Sequence, residues 1–154
     1  MKLVIQRVSE AEVRVGDESV GRIGRGLLVL LGAEKGDDNA TADEAARKVA
    51  GLRVFGDANG RMNLDLAAVS GSVLVVSQFT LGADLSRGRR PGFEKALAGE
   101  EALPLYERFI AALRRHGVPV ETGRFGAMMQ VSLVNDGPAT FLLETGSGNR
   151  EVEP

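Results

Sequence analysis

The sequence predicts an α+β domain in which strands dominate, a mixed sheet or split barrel carrying two main helices. Short β-prone segments alternate with glycine-containing turns along most of the chain, and only two stretches are helical in character. One run, Leu27-Leu28-Val29-Leu30-Leu31, is apolar without alternation, as a strand buried on both faces requires. At 154 residues the chain fits one domain that can bury a core without staples.

Each element follows in order. Residues 3–8, 12–15 and 19–23 read as strands, with Gly16-Asp17 a hairpin turn and Gly24-Arg25-Gly26 a second connection. Residues 27–32 form the doubly buried strand. Asp37-Asp38-Asn39 then leads into Thr41-Ala42-Asp43-Glu44, where hydroxyl and carboxylate stand at capping-box spacing, so a helix is expected to run to about Gly51. Residues 52–55 return as a strand, 56–60 turn, and 72–79 form a strongly β-prone strand with a polar end. From Glu100 to Arg115, Ala102, Leu105, Tyr106, Phe109, Ile110 and Leu113 recur at three and four, with acids at the start and arginines at the end. That is an amphipathic helix packed on a sheet. Strands near 118–121, 128–134 and 139–144 complete a domain expected to span 1–144, and the polar segment 145–154 is expected to be a disordered tail.

Composition removes several chemistries. Cysteine is absent, which excludes disulfide frameworks, thiolate zinc sites and a cysteine nucleophile. The single histidine, His116, lies where the second helix gives way to Gly117, a position that favours a capping role over a Ser-His-Asp triad. A net charge of −2 exerts no global pull on nucleic acid, so any RNA contact must come from a local cluster. No apolar run approaches the roughly twenty residues of a membrane helix, and the N-terminus lacks a signal-peptide pattern. A cytoplasmic protein without membrane contact is expected. Neither a glycine-rich phosphate loop nor a metal-ligand motif is present, so no cofactor and no metal are expected.

Four stretches can carry function. Ser77-Gln78-Phe79-Thr80-Leu81 ends a rigid strand, where polar side chains and backbone amides can line a site or simply meet solvent. Arg87-Gly88-Arg89-Arg90-Pro91 is either a solvated loop or a set of forks for phosphate. Phe125, framed by Gly123 and Gly126, is a core ring or a stacking platform for a base. Asn135-Asp136-Gly137-Pro138 interrupts two strand-like flanks, as a plain turn or as a place where backbone itself is needed.

Taken together, these motifs resemble the D-aminoacyl-tRNA deacylases of the bacterial and eukaryotic type, the D-Tyr-tRNA deacylase family. The resemblance runs from Val4-Ile5-Gln6-Arg7-Val8 through 26–32, Met62-Asn63-Leu64, Ser77-Gln78-Phe79-Thr80-Leu81, Gly88-Arg89-Arg90-Pro91 and 123–129 to Asn135-Asp136-Gly137-Pro138. It covers essentially residues 1–144, with Gly82 a departure at a place often given to tyrosine.

The resemblance implies hydrolysis of the ester of D-aminoacyl-tRNA, and of glycyl-tRNA mischarged on tRNA-Ala, with L-aminoacyl-tRNA rejected, as chiral proofreading in translation. It implies a homodimer with active sites at the interface, each receiving the partner's Gly137 and Pro138, whose cis peptide bond directs carbonyls into the space of an L-side chain. Arg7 would hold that motif. The Phe79 amide would stabilise the oxyanion while the substrate 2′-hydroxyl assists water, with Thr80 the competing candidate as nucleophile or loop support. Ser77 and Gln78 would shape the pocket, Phe125 would receive the terminal adenine, and Arg87, Arg89 and Arg90 would face tRNA phosphates. Two alternatives stay open: a hydrolase of another activated ester using Thr80, and an RNA-binding β-rich dimer that holds a tRNA end without cleaving it.

Overall fold

Two apolar strands set the architecture. In the computed structural model, which describes residues 1–146, they are β3 (Gly26–Gly32) and β6 (Ser72–Ser77), paired in parallel from Gly26↔Ser72 to Leu31↔Ser77. Leu27, Val29, Leu31, Val73 and Val75 point to one side, and Leu28, Leu74 and Val76 to the other. The first side receives helix α1 (Asn39–Gly51) through Ala42, Ala45, Ala46 and Val49, and helix α2 (Leu103–Arg115) through Leu105, Tyr106, Phe109, Ile110 and Leu113. The second side is the interior of a nearly closed barrel, filled by Val8, Ala11, Val13 and Ile23. Burying each such aliphatic or aromatic side chain contributes about 1.5–3 kcal/mol. Packing therefore joins helices to sheet far more strongly than the exposed Asp43–Arg108 bridge between α1 and α2.

The barrel wall is strand β1 (Lys2–Val15), antiparallel to β3 along its first half, to β2 (Glu18–Ile23) along its second, and to β8 (Gln130–Glu144) along both. Strand β7 (Val120–Thr122) pairs in parallel with β6, and β4 (Phe55–Gly56) with β5 (Met62–Leu64) makes a small separate hairpin. Closure falls between β2 and β7, where Gly21 faces Thr122 so closely that a Cβ would lie 2.3 Å from the Thr122 carbonyl oxygen. Only glycine fits there.

The fold agrees with the expected mixed, strand-dominated domain and its two helices, and several local readings change. The three N-terminal strands are two, because β1 continues through Ser9 and Glu10 by shifts in its register with β8. The segment 52–55 contributes only Phe55 to β4, and β6 stops at Ser77 before a 3-10 turn at Phe79–Gly82. The α1 capping box sits one turn earlier than Thr41 and Glu44: Asp38 is the N-cap, accepting from the Thr41 amide at 2.9 Å, while the Thr41 hydroxyl accepts from the Asp38 amide at 3.3 Å. His116 is the C-cap of α2, its N–H donating to the Ala112 and Leu113 carbonyls, and Gly117 follows at φ +80. Packing against the domain also continues past residue 144. Thr145 is buried, exchanging backbone hydrogen bonds with Met1, whose ammonium is held at 2.8 Å by Asp37. Thr145 thus belongs with the domain, and the rest of the expected tail, 147–154, lies outside the described residues.

Candidate active site

Beyond Ser77 the chain has no further strand partner and turns at once. Gln78 still donates its amide to Leu31 at 2.7 Å, then Phe79–Gly82 wind into the 3-10 turn, with Leu81 and Ala83 donating to Gln78 and Thr80. The amides of Phe79 and Thr80 donate to no described group of the protein. Gln78 donates its side-chain amide to the Thr80 hydroxyl, fixing both side chains on the loop. Buried Gly82 keeps the turn low, since a Cβ there would meet that of Ala96 at 2.9 Å.

A cavity of about 470 Å³ opens beside this turn. Ser77, Gln78 and Phe79 form one wall, Phe125, Gly126, Ala127, Met128 and Met129 another, and Ala98, Gly99 and Ala102, leading into α2, the third. No residue of the lining carries an ionisable side chain. Phe125 is half-buried, its ring 5.4 Å from that of Tyr106 on α2, and the Tyr106 hydroxyl donates to the Val75 carbonyl at 3.3 Å. Burial pushes the Tyr106 phenol up to about 12, so it stays protonated as a neutral support. Phe125 is therefore mounted on β6 through Tyr106, with room in the cavity beside it.

The arginine loop is tied to the same place. Asp84 and Gly92 exchange backbone hydrogen bonds at 2.7 and 2.9 Å, closing the loop that carries Arg87, Arg89 and Arg90, and Gly88 turns at φ +62. Phe93, at the base, sets its ring 5.3 Å from that of Phe79. Hydrogen bonds from Ser86 hold the Asp84 carboxyl below its ordinary value. All three arginines are exposed, and none forms an ion pair with a described residue.

Gly137 and Pro138 stand apart from this cavity. The Gly137–Pro138 peptide bond is cis, and both residues are exposed. They belong to a stretch of β8 that leaves the ladder between the pairs Gln6↔Thr140 and Val8↔Asn135. Arg7, whose side chain is 14% exposed, donates Nε to the Asp136 carbonyl at 2.9 Å and a terminal nitrogen to the Val54 carbonyl at 2.6 Å. It also pairs with the Asp136 carboxylate at 3.3 Å. Of the residues singled out from sequence, the structure gathers Ser77, Gln78, Phe79 and Phe125 at the cavity and joins Arg87, Arg89 and Arg90 to it through Phe93. Thr80 is exposed beside it, and Arg7, Gly137 and Pro138 form a second cluster elsewhere on the same chain.

The family model described as D-Tyr-tRNA(Tyr) deacylase matches residues 4–144. The chain belongs to this deacylase family. Curated D-aminoacyl-tRNA deacylases of Geotalea uraniireducens (strain Rf4) and Roseiflexus sp. (strain RS-1) are 57% and 58% identical to it over 145 residues, 94% of this chain and 94% of each relative. A solved structure named c-Myc DNA Unwinding Element Binding Protein superposes with a TM-score of 0.88 at 40% identity, covering 96% of this chain and all of that one. A second, described as a probable eukaryotic D-amino acid tRNA deacylase, shares the fold with a TM-score of 0.81 at 19% identity over 92% of this chain.

Sequence reading did not find Tyr106 as the support of Phe125, nor Phe93 as the link from the arginine loop to Phe79. The small residues Ala98, Gly99 and Ala102 leave the space, and their clustering at the start of the amphipathic stripe was the available signal. The ring contacts had none, because they join residues distant in sequence.

Proposed function

We propose that the protein hydrolyses the ester of D-aminoacyl-tRNA to free D-amino acid and tRNA, and leaves L-aminoacyl-tRNA intact. Glycyl-tRNA mischarged on tRNA-Ala is a further substrate, and the role is chiral proofreading in translation. The observation that carries this reading, together with family membership, is the cavity's lining: it lacks any ionisable side chain, yet the Phe79 amide beside it has no partner among the described residues. Such a site suits an ester that is already activated.

Water attacks the ester carbonyl, the Phe79 N–H donates to the developing oxyanion, and the C–O bond to the ribose breaks as the leaving oxygen takes a proton. The vicinal 2′-hydroxyl of the substrate positions the water, so positioning replaces a general base on the protein. Ser77 and Gln78 shape the pocket, Phe125 stacks on the terminal adenine, and Arg87, Arg89 and Arg90 face phosphates of the acceptor stem. Thr80, already accepting from Gln78, supports the loop. No cofactor or metal enters this scheme.

A homodimer completes the site. Gly137 and Pro138 do not line their own chain's cavity, and they rise from β8, whose only strand partner among the described residues is β1. In the dimer the Gly-Pro motif of each chain enters the other's cavity, where its carbonyls occupy the space of an L-side chain, while a D-side chain points away. Arg7 holds the motif in that orientation. A tRNA substrate places the enzyme in the cytoplasm, and no helix among the described residues is long and apolar enough to cross a membrane.

The test is hydrolysis of D-tyrosyl-tRNA beside L-tyrosyl-tRNA by purified protein, with the dimer followed by sedimentation. Rapid loss of the D-ester alone is expected. Tight tRNA binding with both esters left intact would point to a binding module, and an acyl group trapped on Thr80 to a covalent hydrolase.

A further inference from the structure

Where β8 leaves the ladder, the carbonyls of Arg7 and Ala139 are bonded by a side chain. The Asn135 carboxamide donates to the Arg7 carbonyl at 3.0 Å and to the Ala139 carbonyl at 3.3 Å, bridging the base of the segment that carries Asp136, Gly137 and Pro138. Its oxygen lies directly under the motif: a Cβ on Gly137 would sit 3.0 Å from Asn135 Oδ1, tighter than ordinary contact. A side chain at position 137 would thus crowd the Asn135 amide, which would have to shift by a few tenths of an ångström. Arg7 grips the same segment from the Asp136 side, so one residue supplies a cation above the excursion and a backbone carbonyl below it.

We infer that Asn135 is a positioning residue for stereochemical selection, a strut that sets the height and direction of the Gly137-Pro138 carbonyls. This rests on the deacylase reading above. The chemistry of the strut is specific. Two N–H donors must face two carbonyls while a compact acceptor lies under a glycine, and the carboxamide of asparagine meets both needs. Aspartate keeps the shape but, ionised, offers no donor and turns an anion towards two carbonyl oxygens. Alanine leaves the excursion without its bridge. Asn135 is exposed and outside both apolar clusters, so neither change removes core packing.

The experiment measures kcat/KM on D-tyrosyl-tRNA and L-tyrosyl-tRNA for wild type, Asn135→Ala and Asn135→Asp, with melting temperature and sedimentation for each. The expected result is a folded dimer in both variants, D-activity within about threefold of wild type, and a D-to-L ratio reduced about tenfold or more, the scale of losing both net hydrogen bonds of the carboxamide. A merely structural role predicts a lower melting temperature with both rates falling together and the ratio unchanged. That outcome, or variants indistinguishable from wild type, overturns the inference while the deacylase reading stands. A wild type that does not discriminate D from L removes that reading and the strut's role with it.

Discussion

Alanine at position 21 tests the closure of the barrel and its connection to the cavity. The new methyl carbon would start 2.3 Å from the Thr122 carbonyl oxygen and 3.1 Å from Leu74 Cδ1, the first a backbone atom that no rotamer change can move. Restoring ordinary contact requires β2 and β7 to separate by about 1 Å, and forced overpacking of this kind costs about 1–3 kcal/mol. In a domain of this size each kcal/mol lowers the melting temperature by roughly 2–4 °C, so Gly21→Ala should melt about 2–12 °C below wild type. The displacement also reaches the site, because Gly123, next to Thr122, hangs from the Val75 carbonyl at 3.0 Å and leads to Phe125. Deacylation should slow together with the loss of stability. Gly24→Ala is the control, since nothing lies within 4 Å of its added carbon, and it should melt at or slightly above the wild-type temperature. Circular dichroism melts of the three proteins settle the matter. If Gly21→Ala melts with Gly24→Ala, the strands are not in contact at closure and the argument from glycine fails.

Three further outcomes are expected. Thr80→Ala should keep a substantial part of the D-tyrosyl-tRNA rate, within about tenfold of wild type, since only one hydrogen bond, from Gln78, is lost; near-complete inactivity in single-turnover assays would restore the threonine nucleophile. Replacing Arg89 and Arg90 by alanine should weaken tRNA binding and lower the slope of log K against log salt by up to about 2, with the D-to-L ratio unchanged, and an unchanged slope would make the loop a solvated one. Asp43 is held below its ordinary value first by hydrogen bonding from Arg108, opposed by desolvation and aided by the charges of Arg108 and Arg115. The folded carboxyl thus titrates below the unfolded one, and its contribution is present above the unfolded aspartate value of about 3.9 and lost as pH falls through the folded value. Asp43→Asn should accordingly melt slightly below wild type at neutral pH and converge with it in acid; a gap that persists in acid would show a role other than charge.

How much could be read from sequence follows from the range of each interaction. The stripe from Leu105 to Leu113 declared α2 because every member meets one surface, and the unbroken run through Leu27–Leu31 declared a two-faced strand because both surfaces are apolar. The split of β1 failed at Ser9 and Glu10, which are exposed where the register with β8 shifts, so local polarity imitated a loop. Asp38 took the N-cap from Thr41 because both are residue types that cap a helix start, and only the path of the chain decides between them. At the cavity, Ser77, Gln78, Phe79 and Phe125 were legible as motifs, whereas Tyr106 and Phe93 were not, since their work is done by ring contacts with residues 19 and 14 positions away. Asn135 was visible as a letter of a motif; its task is visible only with Arg7 and Gly137 around it.

The division of the interior into two compartments has a consequence for altering this protein. Helix α1 places Thr41, Ala42, Ala45, Ala46 and Val49 in the interior, and none of them borders the cavity. Ala102 and Phe125, which pack with the helix-side cluster, do, and so do Val76, Met129 and Val131 at the barrel end, so the cavity lies at the seam of the two compartments. Gains in heat tolerance are therefore to be sought on the α1 side, by volume-conserving exchanges that the cavity does not feel. On the proposed assignment of the site, changes of substrate range belong at the seam, where one methyl group more or less at Ala98 or Ala102 alters the volume of the cavity.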